Sequence, residues 1–267
     1  MLLCYISSFY DMNRDKWSHF KRSFNDYLLD FKPFIDIFTS PTNQYEMVLF
    51  LDKKHIDPVS NLLKPRTRIK LIEIDEEFMN QELPMWKTLP RERQIMNSQE
   101  FKNKIPHRLR FPEHTIPEYS LINHCKIDFI NYVIKEDISD AKYFCWVDFG
   151  YFKKPENMPR DFLDINKLNK HKINYTLINR LDSRDRNIQY TLHNAPEKIG
   201  GFFFFGNREN MKKYQKLYHE VLNYFQNTLQ IADDDQHLAL VCYFRKPELF
   251  ALHYTGQWHQ ALKYFQL

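Results

Sequence analysis

Apolar residues recur along the chain in two patterns, and each pattern predicts one kind of element. Short apolar runs predict strands, and apolar positions repeated every three or four residues predict helices. The predicted strands cover residues 2–7, 36–39, 45–51, 68–74, 143–147, 175–178, 202–205 and 249–253. The predicted long helices cover residues 17–31, 119–136, 207–229 and 233–244. Alternating strands and helices are typical of a parallel sheet covered on both faces. We therefore expect one α/β domain with a mainly parallel central sheet flanked by helices, the first helix being capped by Asn13 or Asp15.

The segment from residue 80 to residue 117 interrupts this alternation. It carries five prolines among many charges, at Pro84, Pro90, Pro106, Pro112 and Pro117. Because proline removes a backbone donor and restricts the backbone, we expect a long surface excursion with one helix near residues 91–104. Long loops of this kind are often functional, so the segment would form part of the wall or lid of a substrate site.

Charge, hydropathy and cysteine content exclude several classes of protein. The 267 residues include 38 Lys and Arg against 34 Asp and Glu, a formal net charge of +4. This excess is too small and too evenly spread to predict a nucleic-acid partner. No run approaches the roughly 18–20 apolar residues of a membrane span, so we expect no transmembrane segment and at most a peripheral association with a membrane. The four cysteines lie far apart in apolar stretches, which predicts buried free thiols and a cytoplasmic location.

Glycine is scarce, and its positions are therefore informative. The chain has 5 glycines, none before residue 150, where average usage would give roughly 19. A chain this poor in glycine keeps it where a side chain would not fit. Gly200 and Gly201 open an apolar strand, and bare backbone there would let a sugar lie against the peptide groups.

Asp148 directly follows the buried run of residues 143–147. A carboxylate there lies at the carboxyl end of a strand, where open α/β sheets bind ligands. Mg²⁺ and Mn²⁺ prefer oxygen ligands and share them with substrate phosphates. His253, at the end of a late strand, would add a neutral imidazole to the same cation. Residues 148–150 also match the Asp-Phe-Gly of protein kinases, but a chain without glycine before residue 150 lacks the kinase glycine-rich loop.

Three consecutive carboxylates, Asp233, Asp234 and Asp235, stand at the predicted start of a helix. The helix dipole favours one or two of them, and one should be the N-cap. A third carboxylate adds repulsion, which indicates a partner such as a metal, a sugar hydroxyl or a reacting proton. Asp235 and Asp234 are therefore the candidate catalytic carboxylates.

Residues after the first predicted strand would hold a nucleotide. They lie at its carboxyl end, on the edge of the sheet that carries Asp148 if the strands are parallel. Arg14 follows these residues, and Lys126 lies on the helix before the Asp148 strand, so both would reach a phosphate. Isolated basic residues are also typical of a solvated face. These candidates are Ser7, Phe9, Tyr10, Arg14 and Lys126.

Together these motifs resemble those of nucleotide-sugar-dependent glycosyltransferases of the GT-A class. That class carries an Asp-x-Asp motif after a central strand, and the motif holds a divalent metal on the donor diphosphate. Here Trp146 stands in the first Asp position and Asp148 in the last, so the resemblance implies the metal contact alone. Residues 234–238 resemble the Asp-Glu-x-His-Leu segment of the acceptor side, which gives Asp235 the catalytic or acceptor-binding position. The His-Tyr-Thr-Gly stretch from His253 is similar to the metal-binding His-x-x-Gly segment of glycogenin-like enzymes.

A closer resemblance covers most of the chain. The opening Ser-Ser-Phe-Tyr-Asp-Met-Asn-Arg-Asp-Lys-Trp of residues 7–17 and the Trp-Val-Asp-Phe-Gly of residues 146–150 are similar to the bacterial HtrL/YibB/WlaTC family. This family implies a role in surface polysaccharide or lipooligosaccharide synthesis.

We therefore predict a metal-dependent GT-A-like glycosyltransferase that moves a sugar from a nucleoside-diphosphate sugar, with UDP as the favoured nucleotide, to a glycan acceptor. Residues 1–150 should form the nucleotide-sugar half, and residues 151–267 the acceptor half. Mn²⁺ or Mg²⁺ on Asp148 and His253 would neutralise charge on the leaving group. The predicted sugar contacts are Gly200, Gly201 and Trp258.

Several alternatives stay open at this point. In an inverting enzyme Asp235 or Asp234 would deprotonate the acceptor, and in a retaining enzyme the same carboxylate would stabilise the oxocarbenium face. The chain would otherwise be a nucleotidyltransferase on a similar fold, or a non-catalytic protein that binds a nucleotide or a sugar.

Overall fold

The computed structural model describes residues 1–39 and 44–267, which contain seven strands and eleven α-helices. The strands are β1 Leu3–Phe9, β2 Tyr45–Asp52, β3 Ile69–Ile74, β4 Tyr143–Val147, β5 Ile173–Leu177, β6 Phe203–Asn207 and β7 Phe250–Tyr254. The helices are α1 Phe24–Ile37, α2 Lys53–Ser60, α3 Glu76–Glu82, α4 Leu89–Asn97, α5 Gln99–Lys104, α6 Pro117–His124, α7 Lys126–Lys135, α8 Ile188–Asn194, α9 Arg208–Asn223, α10 Asp235–Arg245 and α11 Ala261–Phe265.

The strands form one sheet in the order β3-β2-β1-β4-β6-β5-β7. Strands β3, β2, β1 and β4 run parallel, and β5 and β7 run parallel to each other. Strand β6 is antiparallel to both of its neighbours, β4 and β5. The predicted α/β domain with a mainly parallel sheet is therefore confirmed. Because β1 and β4 are parallel neighbours, their carboxyl ends, at Phe9 and Val147, lie on the same edge.

Two apolar cores cover the two faces of the sheet. Alternate residues of a strand point to opposite faces, and β4 accordingly sends Trp146 into one core and Val147 into the other. The Trp146 core is built with helices that include α7, α9 and α10. The Val147 core is built with α1, α2 and α11. Burial on both faces explains why β4 is a continuous apolar run.

The first helix begins later than the sequence predicts. Ser23 caps α1 and forms a capping box with Asp26, whereas Asn13 precedes only a 3-10 turn and provides no side-chain cap. Phe20 has a φ of 57°, which the interior of a right-handed helix does not allow. The strand predicted at residues 36–39 is also wrong, because α1 continues to Ile37.

The remaining predictions differ from the structure mainly in length and number. The helix predicted at 119–136 is divided into α6 and α7, and that at 207–229 into α9 and a π-helix, Tyr224–Leu229. The proline-rich segment contains α4 and α5 rather than one helix, and α3, α8 and α11 were not predicted. All four cysteines are buried and free, as predicted. Within the described ranges, we find no helix with the length and apolar character that crossing a membrane requires.

Candidate active site

Two adjoining cavities open at the carboxyl edge of the central strands. The first, which we call the basic cavity, measures about 180 Å³ and is lined by residues 8–12, Arg14 and Arg22, among others. The second, the acidic cavity, measures about 450 Å³ and is lined by Glu113 and residues 234–236, among others. The wall that both cavities share consists of Tyr119, Asn123, Lys126, Asp148, Lys153, Phe202 and His259. The two cavities therefore form one cleft.

Lys126 lies in the shared wall and joins the two predicted carboxylates. Its Nζ donates to Asp148 Oδ2 at 3.0 Å, to Asp235 Oδ2 at 2.8 Å and to the Gly201 carbonyl at 3.0 Å. Burial alone would lower the pKa of Lys126, but the charges of Asp148 and Asp235 outweigh burial and raise it. The ammonium group is therefore charged at neutral pH, and its three hydrogens are all directed at oxygen atoms.

The register of β4 and β6 brings these groups together. Val147 pairs with Phe203, and the Asp148 amide donates to the Phe202 carbonyl at 3.1 Å, so the start of β6 lies beside the end of β4. A Cβ atom on Gly201 would lie 2.8 Å from both carboxylate oxygens of Asp235. Gly201 is therefore glycine because Asp235 approaches its backbone closely.

The three consecutive aspartates have three different partners. Asp233 is buried, and its Oδ1 accepts from Arg108 Nη2 at 2.5 Å and contacts His237 Nδ1 at 2.9 Å. Burial alone would raise the pKa of Asp233, but His237 and Arg108 hold it well below its usual range. Asp234 is the N-cap of α10, as one of the three was predicted to be. Asp235 is the partner of Lys126. Asp233 and Asp235 thus have cationic partners, whereas Asp234 is held by hydrogen bonds from Gln236.

The basic cavity carries more positive charge than its own carboxylates compensate. Arg14 donates to the Tyr27 hydroxyl at 2.6 Å, and Arg22 lies over the Tyr27 ring and pairs with Asp30. The Nη1 of Arg22 is buried without a hydrogen-bond partner among the described residues. Burial lowers the pKa of Lys153, and repulsion from Arg14 and Arg22 lowers it further. Three cations in one cavity are complementary to an anion such as a diphosphate.

The acidic cavity contains a carboxyl group that the sequence analysis did not single out. Glu113 lies in the 3-10 turn Pro112–His114 of the proline-rich segment and lines this cavity. Burial raises its pKa to about 7, and repulsion from Asp234 contributes to the rise. No motif marks Glu113. The one signal was its position in a segment predicted to border the substrate site, and Glu113 of that segment lines the acidic cavity.

Asp148 and His259 are the residues best suited to a divalent cation. Trp146 Nε1 donates to Asp148 Oδ1 at 2.5 Å, and the Asp148 side chain remains 28% exposed. Burial lowers the pKa of His259 to about 4, and Lys153 contributes, so its imidazole is neutral and able to ligate. In residues 1–39 and 44–267, no three His, Cys, Asp or Glu side chains converge as a metal site. The two residues therefore fit a cation whose shell a diphosphate completes.

The backbone of His259 is unusual for a residue that is not glycine. Its φ is 58°, in the left-handed region. The ring stacks on Phe202, with centroids 4.5 Å apart. This stacking keeps the imidazole in the shared wall of the cleft.

Comparison with known proteins places the chain in a family. Residues 3–267 match the family described as "Bacterial protein of unknown function (HtrL_YibB)". The chain belongs to the HtrL_YibB family. Protein HtrL of Escherichia coli (strain K12) is 28% identical over 279 residues, which cover 98% of this chain and 91% of that protein. The predicted family resemblance is thereby confirmed.

Two solved structures are similar to this HtrL_YibB protein. Core-mannan synthase A (CmsA/Ktr4) of Aspergillus fumigatus, in its Mn/GDP form, has a TM-score of 0.54 at 12% identity, covering 96% of this chain and 73% of that chain. Mouse xyloside xylosyltransferase 1, in its apo form, has a TM-score of 0.43 at 11% identity, covering 94% and 84%. The first similarity is one of fold, and it confirms the predicted GT-A-like fold of this HtrL_YibB protein.

The predicted pairing of His253 with Asp148 is not formed. His253 Nε2 contacts Asn174 Oδ1 at 2.9 Å, and its ring packs against Phe265. Phe265 belongs to the core on the opposite face of the sheet from α7, and two strands separate β7 from β4. The histidine that reaches the cleft with Asp148 is His259, six residues later along the chain.

Two more predicted site residues lie outside the cleft of this HtrL_YibB protein. Ser7 is fully buried within β1, and the neighbouring Ser8 lines the basic cavity instead. Gly200 lines neither cavity, and a Cβ atom there would lie 2.9 Å from Thr176 Oγ1, so close packing explains this glycine. The other predicted residues line one or both cavities: Phe9, Tyr10, Arg14, Lys126, Asp148, Gly201, Asp234, Asp235 and Trp258.

The predicted division into halves at residue 150 stays a prediction. The acidic cavity takes residues from both sides of that point, since Glu113 and Tyr119 line it together with Asp235 and Trp258.

Proposed function

We propose that this protein is a glycosyltransferase that moves a sugar from a nucleoside-diphosphate sugar to a hydroxyl group of a glycan. The observation that carries the proposal is the cleft itself, in which a cation-lined cavity adjoins a carboxylate-lined one and Lys126 lies between Asp148 and Asp235. A diphosphate is complementary to the first cavity, and the hydroxyl groups of a sugar are complementary to the second.

The donor would bind in the basic cavity. Phe9 and Tyr10, at the end of β1, would contact the nucleoside, and the cations Arg14, Arg22 and Lys153 would bind the diphosphate. The predicted role of Lys126 as a phosphate ligand changes, because its three hydrogens are already used. Its ammonium group would instead keep Asp148 and Asp235 in place while the donor binds.

A divalent cation bound with the donor would stabilise the charge that develops on the leaving diphosphate. Asp148 and His259 would hold this cation from the shared wall. Mn²⁺ and Mg²⁺ both suit a site with one carboxylate, one imidazole and phosphate oxygens. Trp146 would orient the Asp148 carboxylate through its indole hydrogen bond.

The acceptor would bind in the acidic cavity. Trp258 and Tyr119 offer aromatic surface there, and Asp234, Asp235 and Gly201 offer polar groups. UDP as the nucleotide and a surface polysaccharide or lipooligosaccharide as the acceptor belong to this proposal. They are supported by the resemblance of the motifs to GT-A enzymes and to the family.

A panel of nucleotide sugars tests the proposal. The panel contains UDP-, GDP-, CMP- and dTDP-sugars, each with and without Mn²⁺. Only the matching donor is expected to raise the melting temperature of the protein, because binding stabilises the folded state. The matching donor should then release a nucleoside diphosphate. Release of pyrophosphate from a nucleoside triphosphate would favour a nucleotidyltransferase instead, and binding without any turnover would favour a non-catalytic protein.

A further inference from the structure

We infer that Glu113 is the carboxyl group that takes the proton of the acceptor hydroxyl. This inference rests on the proposed function and adds a catalytic residue that neither the motifs nor the family resemblance identifies. It depends on which carboxylates of the acidic cavity are free to react. Apart from Asp148, which the proposed function assigns to the cation, the carboxylates that line this cavity are Glu113, Asp234 and Asp235.

Asp235 is committed to an ion pair. Its Oδ2 is 2.8 Å from Lys126 Nζ, and its side chain is 13% exposed. Both of its oxygens also lie against the backbone at Gly201. Burial and the charge of Asp234 raise the pKa of Asp235 although Lys126 opposes them, but a proton received at Oδ2 would have to displace the Lys126 ammonium group. Asp235 therefore suits the role of a positioning residue better than that of a proton acceptor.

Asp234 is committed to the start of α10. Its Oδ1 accepts from the Gln236 amide at 3.4 Å, and its Oδ2 accepts from Gln236 Nε2 at 2.5 Å. Adjacent positive charge at His237 and hydrogen bonds keep the pKa of Asp234 at about 2 although burial alone would raise it. A carboxylate with so low a pKa is a weak base at neutral pH.

Glu113 is free of such partners. In the part of the chain that the structure describes, its carboxyl group forms no ion pair and no hydrogen bond with another residue. The charged groups that face it are Asp234 and Asp233 from the start of α10 and Arg108 from its own segment. The phenol of Tyr119 lies on α6 nearby. Its pKa of about 7 matches the value that general bases need at neutral pH.

Glu113 would act while the acceptor hydroxyl attacks the donor sugar. The hydroxyl proton of the acceptor moves to a carboxylate oxygen of Glu113, and the hydroxyl oxygen forms a bond to the anomeric carbon. The bond from that carbon to the diphosphate oxygen breaks, and its electron pair leaves with the nucleoside diphosphate. Glu113 then releases the proton to solvent through the open cavity.

The test compares the wild type with Glu113→Gln, which keeps the size of the side chain and removes its basicity. With a UDP-sugar and Mn²⁺, release of UDP by the variant should fall on the order of 100-fold, while calorimetry should give the same affinity for UDP. In the wild type, kcat/KM should rise with pH through about 7, and the variant should lack this rise. Glu100→Gln, an exposed glutamate of the same segment, should behave like the wild type.

Two outcomes overturn the inference, and they are distinguishable. If the wild type releases UDP and Glu113→Gln matches its rate and pH profile, Glu113 is not the base, whereas the proposed function stands. If neither protein binds any nucleotide sugar, the proposed function fails and the inference fails with it. Thermal unfolding of each variant shows whether a loss of rate reflects a loss of fold. Should Glu113→Gln be unstable, Glu113→Ala with added formate should regain part of the rate, since formate supplies the missing carboxylate.

Discussion

The acidic and basic cavities of the cleft differ in how far their buried charges are paired within the protein. In the acidic cavity, Asp234 and Asp235 have their own partners, whereas Glu113 has none among the residues that the structure describes. In the basic cavity, Arg14 and Lys153 have no carboxylate partner in residues 1–39 and 44–267, so the positive charge is left for a ligand. The comparison suggests that the basic end is built to bind an anion, and the acidic end to hold geometry around one reactive group.

The largest effect is expected from removing the group that joins the two ends. Lys126→Met leaves Asp148 and Asp235 close together without a countercharge, and breaking a buried ion pair in this way costs about 3–5 kcal/mol. Urea unfolding should show this loss. Lys135→Met, on the same helix but 68% exposed, should change the free energy of unfolding by less than about 1 kcal/mol. Equal losses in the two variants would contradict the bridging role of Lys126.

Asp148→Ala separates cation binding from the rest of the cleft. It removes the carboxylate proposed to ligate the cation, so the affinity for UDP in the presence of Mn²⁺ should fall about 100-fold, or about 2.7 kcal/mol. Calorimetry with and without EDTA measures the difference. The exposed Asp57→Ala on α2 is the control. If Mn²⁺ still enhances UDP binding to the Asp148 variant, then Asp148 does not hold the cation.

Removing charge from the basic end tests its complementarity to a diphosphate. Arg22→Gln and Lys153→Gln should each weaken UDP binding about 10- to 100-fold, since a hydrogen bond to a charged group contributes roughly 1.5–3 kcal/mol. Binding of uridine, which carries no phosphate, should not change. Lys154→Gln, beside Lys153 but outside both cavities, is the matched control. Equal losses for UDP and uridine would show that these residues shape the pocket rather than bind phosphate.

The last expected effect concerns stability and pH. The pKa of Glu113 is raised in the folded protein from its ordinary 4.5 to about 7, so the folded state binds this proton more tightly than the unfolded state. The free energy of unfolding should therefore decrease as pH rises from about 4.5 to 7. Glu113→Gln should remove the part of that decrease that belongs to this carboxyl group, at most about 3 kcal/mol for a shift of this size. Urea unfolding at several pH values gives the difference between the two proteins.

Elements of the fold and residues of the cleft could be predicted from the sequence where a local pattern of residues marks them. The apolar run before Asp148 predicted β4 and the position of Asp148 at its carboxyl end, because burial on both faces leaves a clear pattern in sequence. The start of α1 was not predictable from apolar spacing alone, since the capping box at Ser23 and the left-handed backbone at Phe20 outweighed it. Glu113 carried no pattern, and only tertiary packing brings it to the cleft.

The prediction of His253 as the metal ligand shows a different limit, because His259 is the histidine that lines the cleft. Both lie in one short C-terminal segment, and His253 had the more familiar spacing to a glycine. His253 lies in β7 and pairs with Thr176 of β5. The alternation of side chains along β7 turns His253 to the face of the sheet away from α7. His259 lies beyond the strand, where no alternation applies. To predict which histidine lies near Asp148, one needs the order and register of strands that are far apart in the chain, and a single sequence does not contain that information.

The left-handed backbone at His259 has a consequence for the history of the family. Glycine or asparagine would adopt that backbone at lower cost, so drift at this position is biased towards losing the imidazole. A relative that retains histidine there does so against a conformational preference, which implies selection for the ring. If His259 holds the proposed cation, relatives that carry glycine there should bind the proposed donor without enhancement by Mn²⁺, and a survey of their sequences would sort the two groups before any protein is purified.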